Sequence, residues 1–164
     1  DKKLRFNTNH DESNNATPIT VYHGKDGAIA SSVISIFLEG VPLIYCGQEV
    51  GVSNTSVYTG NGPIDWTQNG DMLSAYKQLL NFYNASDAAR KGTLETFYDV
   101  NVAAFTKTYD ASEICVIVNT RSTTKLYAVP GALKGNWTNA LTNLTMALQD
   151  TFSIAPYQYF ILKK

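Results

Sequence analysis

Apolar residues in the first half of the chain recur at helical spacing. In the second half they form short bursts divided by turn residues. Leu4 to Thr8 is a brief extended run, followed by a polar loop from Asn9 to His23. Between Gly24 and Glu39, the positions Ala28, Ile29, Ser32, Val33, Ile36 and Phe37 fall three and four apart, which predicts a helix with one buried face. Gly40 lies just past its end, where a residue without a Cβ commonly stops a helix. Val41-Pro42-Leu43-Ile44-Tyr45 is continuously apolar, the mark of a strand covered on both faces in a parallel sheet. Pro42 is tolerated near the start of such a strand. A loop rich in Gly, Asn, Ser and Thr then runs to Asn69. Asp71 is placed to cap a helix over residues 72–84, with Leu73, Tyr76, Leu79, Leu80 and Tyr83 on one side. A shorter helical piece, residues 86–91, stops at Gly92.

After Gly92 the punctuation becomes that of an all-β segment. Residues 102–109, 113–119, 125–129 and 158–162 are rich in β-branched and aromatic side chains. Asp110-Ala111-Ser112, Arg121-Ser122-Thr123, Pro130-Gly131 and Gly135-Asn136 read as the turns between them. Short strands with such turns predict an antiparallel sandwich or barrel. Residues 113–119, the most continuously apolar of these runs, are expected at its centre. The predicted organisation is therefore mixed, with a unit of strands and helices over 1–92 and an antiparallel β unit over 93–164.

Composition narrows the functional classes. A chain of 164 residues suits one medium domain or two small ones, and 44% hydrophobic residues suffice for a packed core. Thirteen basic and 14 acidic residues nearly cancel, giving a net charge of -1, so the basic stripe that binds nucleic acid is not expected. The most apolar stretch, 28–46, is interrupted by Glu39, Gly40 and Pro42, so no membrane span is predicted. Cys46 and Cys115 are too few for a disulfide framework or a closed zinc site and read as buried free thiols. The opening run Asp1-Lys2-Lys3-Leu4-Arg5-Phe6 has neither an initiator Met nor a signal-like segment and reads as the interior of a longer, soluble protein. The compartment stays open: sequons begin at Asn15, Asn54, Asn84, Asn136 and Asn143, but they matter only in a secreted, glycosylated protein.

Two clusters carry candidate chemistry. Asn9-His10-Asp11-Glu12 follows the first strand, and Gly47-Gln48-Glu49 follows the second. In α/β architectures, ligand chemistry gathers where loops leave the carboxyl ends of parallel strands. A right-handed crossover would set the two clusters on one rim. There an ionised Asp11 could oppose a developing positive charge while His10 donates hydrogen bonds to hydroxyls. A polar turn after a strand is the plain alternative, since Asn and Asp favour turns.

Together these segments resemble the α-amylase family, glycoside hydrolase family 13. Its aromatic-x-x-Asn-His-Asp region at the end of the seventh barrel strand is matched by Phe6, Asn7-Thr8 and Asn9-His10-Asp11. Its Gly-x-Pro-x-Ile-Tyr-x-Gly-x-Glu-x-Gly run along the eighth strand is matched from Gly40 to Gly51. Pro63-Ile64-Asp65-Trp66 looks like the short segment in the following loop. The resemblance implies the last strand–helix units of a (β/α) TIM-type barrel over 1–92 and the β-sandwich called domain C over 93–164. It implies that Asp11 stabilises the transition state and that His10 binds sugar hydroxyls, with Asn9 and Glu49 in supporting roles. Glu12 is read as a rim residue, because neighbours on an extended chain point apart. The implied substrate is an α-glucan such as starch. The nucleophile and general acid of retaining cleavage come from the family's fourth and fifth strands, which would precede residue 1, so the chain alone is expected to be inactive. No cofactor is implied here; calcium, common in the family, would belong to that preceding part.

Other readings lead elsewhere. Cys46 and His10 on one rim could serve a cysteine hydrolase, although no orienting third group is evident. His10, His23 and nearby acids could hold a metal, although no spacing sets them on one helical face. Trp137, Tyr127 and Tyr157 could make the second unit a non-catalytic carbohydrate-binding module, against a packing role for each ring. A partial barrel leaves strand edges uncovered, so residues 4–45 are expected to self-associate or dock with the remaining barrel, while the unit after 92 folds by itself.

Overall fold

In the computed structural model, which describes residues 3–164, Leu4–Arg5 (β1) pairs in parallel with Val41–Pro42 (β2). Asp1 and Lys2, at the head of the opening run, lie outside the described residues. Between the two strands come the short helix Pro18–Val21 (α1) and the helix Lys25–Phe37 (α2). α1 falls within the stretch expected to be loop, where Pro18 at its first turn is pre-set for a helix. α2 matches the predicted stripe, with Ala28, Val33, Ile36 and Phe37 wholly enclosed. Gly40 lies beyond the helix end at φ 127°, and a Cβ there would come within 2.5 Å of the Lys3 carbonyl. It therefore permits the close return of the chain onto β1.

The apolar run 41–45 pairs over only two residues. Val41 and Leu43 donate to the Lys3 and Arg5 carbonyls, each at 2.9 Å, and Leu43 to Tyr45 continue half-buried without a ladder. β1 and β2 have no other strand neighbour among the described residues, so Val41 is exposed rather than covered on both faces. Two 3₁₀ turns, Gln48–Val50 and Thr55–Thr59, precede the helices Gly70–Ala85 (α3) and Asp87–Lys91 (α4). Asp71 does not cap α3. Asn69, in a left-handed conformation (φ 47°), leads into that helix and donates its amide to the Val50 carbonyl at 2.9 Å. Asp71 instead pairs with Lys25 at 2.6 Å, pinning the first turns of α2 and α3 together; the hydrogen bond from Lys25 lowers the Asp71 pKa.

Apart from a 3₁₀ turn at Gly131–Leu133, the regular structure that remains is β: Thr93–Phe97 (β3), Val102–Tyr109 (β4), Ser112–Asn119 (β5), Lys125–Ala128 (β6), Gly135–Asn139 (β7), Thr145–Leu148 (β8), Thr151–Ile154 (β9) and Tyr159–Lys163 (β10). A six-stranded sheet, ordered β3-β4-β5-β10-β7-β8, packs against the two-stranded sheet β6-β9. All sheet pairings after residue 92 are antiparallel. The apolar run of β5 is central, as expected, because it is buried on both sides. Val116 and Val118 face the helices, while Cys115 and Ile117 face the small sheet. β3, β7, β8 and β9 were not evident from pattern, and Gly135-Asn136 begins β7 rather than forming a turn.

Two cores result. One joins α2, α3 and α4 to a face of the large sheet through Phe37, Leu79, Phe105, Val116 and Ile161. Phe37 meets Phe82 and Tyr83 with ring centroids 6.0 and 6.1 Å apart. The second lies between the sheets around Tyr127, Leu133, Trp137 and Leu148. Tyr127 and Trp137, candidates for an exposed sugar platform, are both interior. The Trp137 indole N–H donates to the Leu133 carbonyl at 2.8 Å, and Lys164 covers the ring at 3.8 Å. Among the described residues, no helix is long and apolar enough to cross a membrane.

Candidate functional site at the β1–β2 rim

Beyond β1 the chain does not stay extended. Asn9 Oδ1 accepts the backbone N–H groups of Asp11 (2.9 Å) and Glu12 (3.0 Å), and Ser13 donates back to the Asn9 carbonyl (3.0 Å). Such a side-chain bond to the following amides makes a compact turn. His10 and Asp11 therefore project together, with His10 Nε2 and Asp11 Oδ1 3.2 Å apart and side chains 79% and 77% exposed. The grounds for separating Asp11 from Glu12 change accordingly: both lie in a turn, and Glu12 is exposed beside Asp11.

Beyond β2, Gly47 adopts φ 82°, and a Cβ there would meet Val52 at 2.7 Å and the Tyr58 hydroxyl at 3.0 Å. The constraint lets residues 55–64 fold back over the rim. Tyr58 donates to the Cys46 carbonyl at 2.8 Å and packs on Tyr45, centroids 5.7 Å apart. Burial, with smaller contributions from the Cys46, Tyr45 and Glu49 charges, pushes the Tyr58 phenol up to about 12. Cys46 itself is exposed, correcting the expectation of a buried thiol; its position in a loop past the paired strand leaves the side chain uncovered. Glu49 is half-buried, and its Oε2 is enclosed without a hydrogen-bond partner among the described residues, as is Thr8 Oγ1. In the loop beyond, Asp65 Oδ1 accepts both the amide (2.9 Å) and hydroxyl (2.6 Å) of Thr67, which lowers its pKa, and Trp66 stays half-exposed.

No hydrogen bond or ion pair joins His10 or Asp11 to Gln48, Glu49 or Cys46 among the described residues. The two rims are coupled one layer below. Asn7 Nδ2 donates to Ser32 Oγ at 2.8 Å, and Gln48 Nε2 donates to the same oxygen at 3.1 Å and to the Tyr76 hydroxyl at 3.0 Å. Ser32 Oγ donates to the Ala28 carbonyl (2.8 Å) and lies 2.6 Å from Tyr76. Tyr45 N–H closes the set on Gln48 Oε1 at 3.3 Å. Ser32, Gln48 and Tyr76 are all buried, and burial raises the Tyr76 phenol above its ordinary range. Buried polar groups require partners, and here four segments supply them to one another. The network escaped motif reading. Its one signal was Ser32, a polar residue within an otherwise apolar helical stripe. Among the described residues, no group of three or more His, Cys, Asp or Glu could hold a metal, and His23 lies past the end of α1, lining a recess to which His10 does not contribute.

No protein-family model matches the chain. Neopullulanase 2 of Thermoactinomyces vulgaris is 27% identical over 134 residues, covering 75% of this chain and 23% of that protein. Alpha-amylase 2 of Dictyoglomus thermophilum is 25% identical over 159 residues, covering 85% and 27%. The chain thus spans about a quarter of the length of the curated relatives it matches. The crystal structure of an alpha-amylase from Geobacillus thermoleovorans, complexed with acarbose, superposes with a TM-score of 0.80 at 14% identity, over 99% of this chain and 38% of that one. In sequence and in fold, the chain resembles the carboxyl-terminal portion of the α-amylase family, glycoside hydrolase family 13.

Proposed function

We propose that this chain is the carboxyl-terminal part of a retaining glycoside hydrolase acting on α-glucans. Residues 1–92 would complete a (β/α) barrel and residues 93–164 would form its domain C. In this reading Asp11 holds negative charge against the oxocarbenium-like transition state, and His10 donates to sugar hydroxyls that bind more tightly as the ring flattens. Asn9 holds the turn that presents both, and Glu49 supports the neighbouring rim. The observation that carries the proposal is the joint exposure of His10 and Asp11 at the carboxyl end of one parallel strand, tied through Ser32 to the end of the next. The two carboxyl groups of bond cleavage would come from barrel strands outside this chain. Exposed Leu4, Phe6 and Val41 beside the short β1–β2 ladder suit docking against those strands. The burial of Tyr127 and Trp137 favours this reading over a sandwich that binds starch through those rings.

The test has two arms. The purified 164-residue chain should release no reducing sugar from soluble starch. In the full-length protein, Asp11→Asn should lower kcat roughly a thousandfold and kcat/KM in parallel, as expected of a group acting in the transition state. Starch hydrolysis by the 164-residue chain, or full activity of the Asp11→Asn enzyme, would overturn it.

A further inference from the structure

A recess of about 320 Å³ opens where the end of α1 and the start of α2 meet the turn after β5 and the loop before β10. Tyr22, His23, Ile34, Thr120, Arg121 and Tyr157 line it, and none of them belongs to the β1–β2 rim. Tyr157 is the one aromatic singled out in the β unit that reaches such a surface, since Trp137 and Tyr127 are interior. The recess is built rather than incidental. Tyr157 (φ 54°) is left-handed, a conformation uncommon for a residue with a bulky side chain, and His23 (φ 61°), of a type that adopts it more readily, is left-handed across the recess. Such strained positions persist where their surroundings hold them, and they gather at ligand sites.

Those surroundings are explicit. Tyr157 donates its N–H to the Arg121 carbonyl at 3.1 Å. The Arg121 guanidinium is fixed by bonds to Asn101 Oδ1 (3.2 Å) and the Val100 carbonyl (2.7 Å), with donors of its planar fork left over. Gly24 donates to the Ile19 carbonyl at 2.8 Å, closing the turn around His23. A Cβ at Gly27 would lie 1.8 Å from the Tyr22 carbonyl, so Tyr22 sits against α2 only because residue 27 has no side chain.

The chemistry is that of an apolar floor with aromatic rings and a few hydrogen-bonding groups at its edge. A pyranose suits it, because its C–H faces pack on rings while its hydroxyls reach donors and acceptors around the rim. The volume is at the low end for small-molecule sites, enough for one ring rather than a long chain. We infer that this recess is a second carbohydrate site, distinct from the Asp11 rim, that takes one pyranose unit of an oligosaccharide. The assignment of that oligosaccharide as an α-glucan rests on the function proposed above.

The experiment is a titration of the ¹⁵N-labelled 164-residue chain with maltotriose, and with cellotriose as a β-linked control, followed by amide chemical shifts. Maltotriose should saturably shift the amides of Tyr22, His23, Arg121 and Tyr157. Tyr157→Asn removes the ring while keeping a residue that accepts a left-handed backbone. It should weaken binding roughly tenfold with spectral dispersion intact, the loss expected for one aromatic packing partner. Tyr22→Ala provides an independent second variant with the same expected loss. Shifts confined to Asn9–Glu12, or undiminished binding by the Tyr157→Asn chain, would overturn the site. Equal binding of cellotriose would overturn the α-glucan assignment. Absence of any shift with either sugar removes this site while leaving the Asp11→Asn test untouched, so the two proposals fail separately.

Discussion

Cys115 lies in the second core opposite Thr106 of β4 and Leu162 of β10, where burial, and behind it the Glu113 charge, pushes its thiol from an ordinary 9.0 up to about 12. Tyr127 in the same core is pushed from 10.0 to about 12, again chiefly by burial. In the unfolded chain both groups lose their protons at ordinary values, whereas the folded protein retains them. The stability linked to them is therefore complete below about pH 9 and falls as pH rises toward 12. Melting temperature should hold between pH 7 and 8.5 and drop steeply by pH 11, with a shallower drop in Cys115→Val. An equal melting temperature at pH 8 and pH 11 would contradict this. At pH 8, iodoacetamide should alkylate exposed Cys46 in the native protein and reach Cys115 only in denaturant, as peptide mass mapping would show.

At the scale of elements, the Ser32 hub joins α2 to the ends of β1 and β2 and to α3. Ser32→Ala leaves the amides of Asn7 and Gln48 without their shared acceptor in a buried setting. It should cost about 1–3 kcal/mol in chemical denaturation. Ser74→Ala, on the exposed side of α3, should stay within about 0.5 kcal/mol of the parent. Equal stability of the two variants would rule out a structural role for the network. α2 was legible in sequence because its stripe holds Ala28, Val33, Ile36 and Phe37 at one spacing, and β5 because burial on both sides leaves only apolar residues from Ile114 to Val118. β7 was not, since its Gly135 and Asn136 carry a turn's chemistry, and pairing with β8 decides its conformation. The same limit applied at the rim. The Asn9-His10-Asp11 motif could be read directly, but the exposure of Cys46 and the path from Asn7 to Gln48 depend on loops whose shape only packing sets.

For the whole molecule, the two cores divide the work unequally. The second is made entirely by residues after 92, whereas the first places Phe105, Val116, Val118 and Ile161 beneath helices from before 92. Expressed alone, residues 93–164 should keep Trp137, the one tryptophan of that segment, in an apolar environment with blue-shifted emission. The helix-facing side of the sheet would at the same time be laid bare, so the segment should bind hydrophobic dye and elute as an oligomer. A dye-silent monomer melting at the parent's temperature would show that the helices are dispensable to it.

The shared first core also has a mechanical consequence. The passage from α4 through Gly92 into β3 is held at two points: Ala88 and Ala89 are interior, and Lys107 of β4 reaches over to bond the Ala89 carbonyl. The β-sandwich is thus packed against α2 through the core they share. Strain applied to it would be felt at the helix that carries Ser32, and through Asn7 at the turn that carries Asp11.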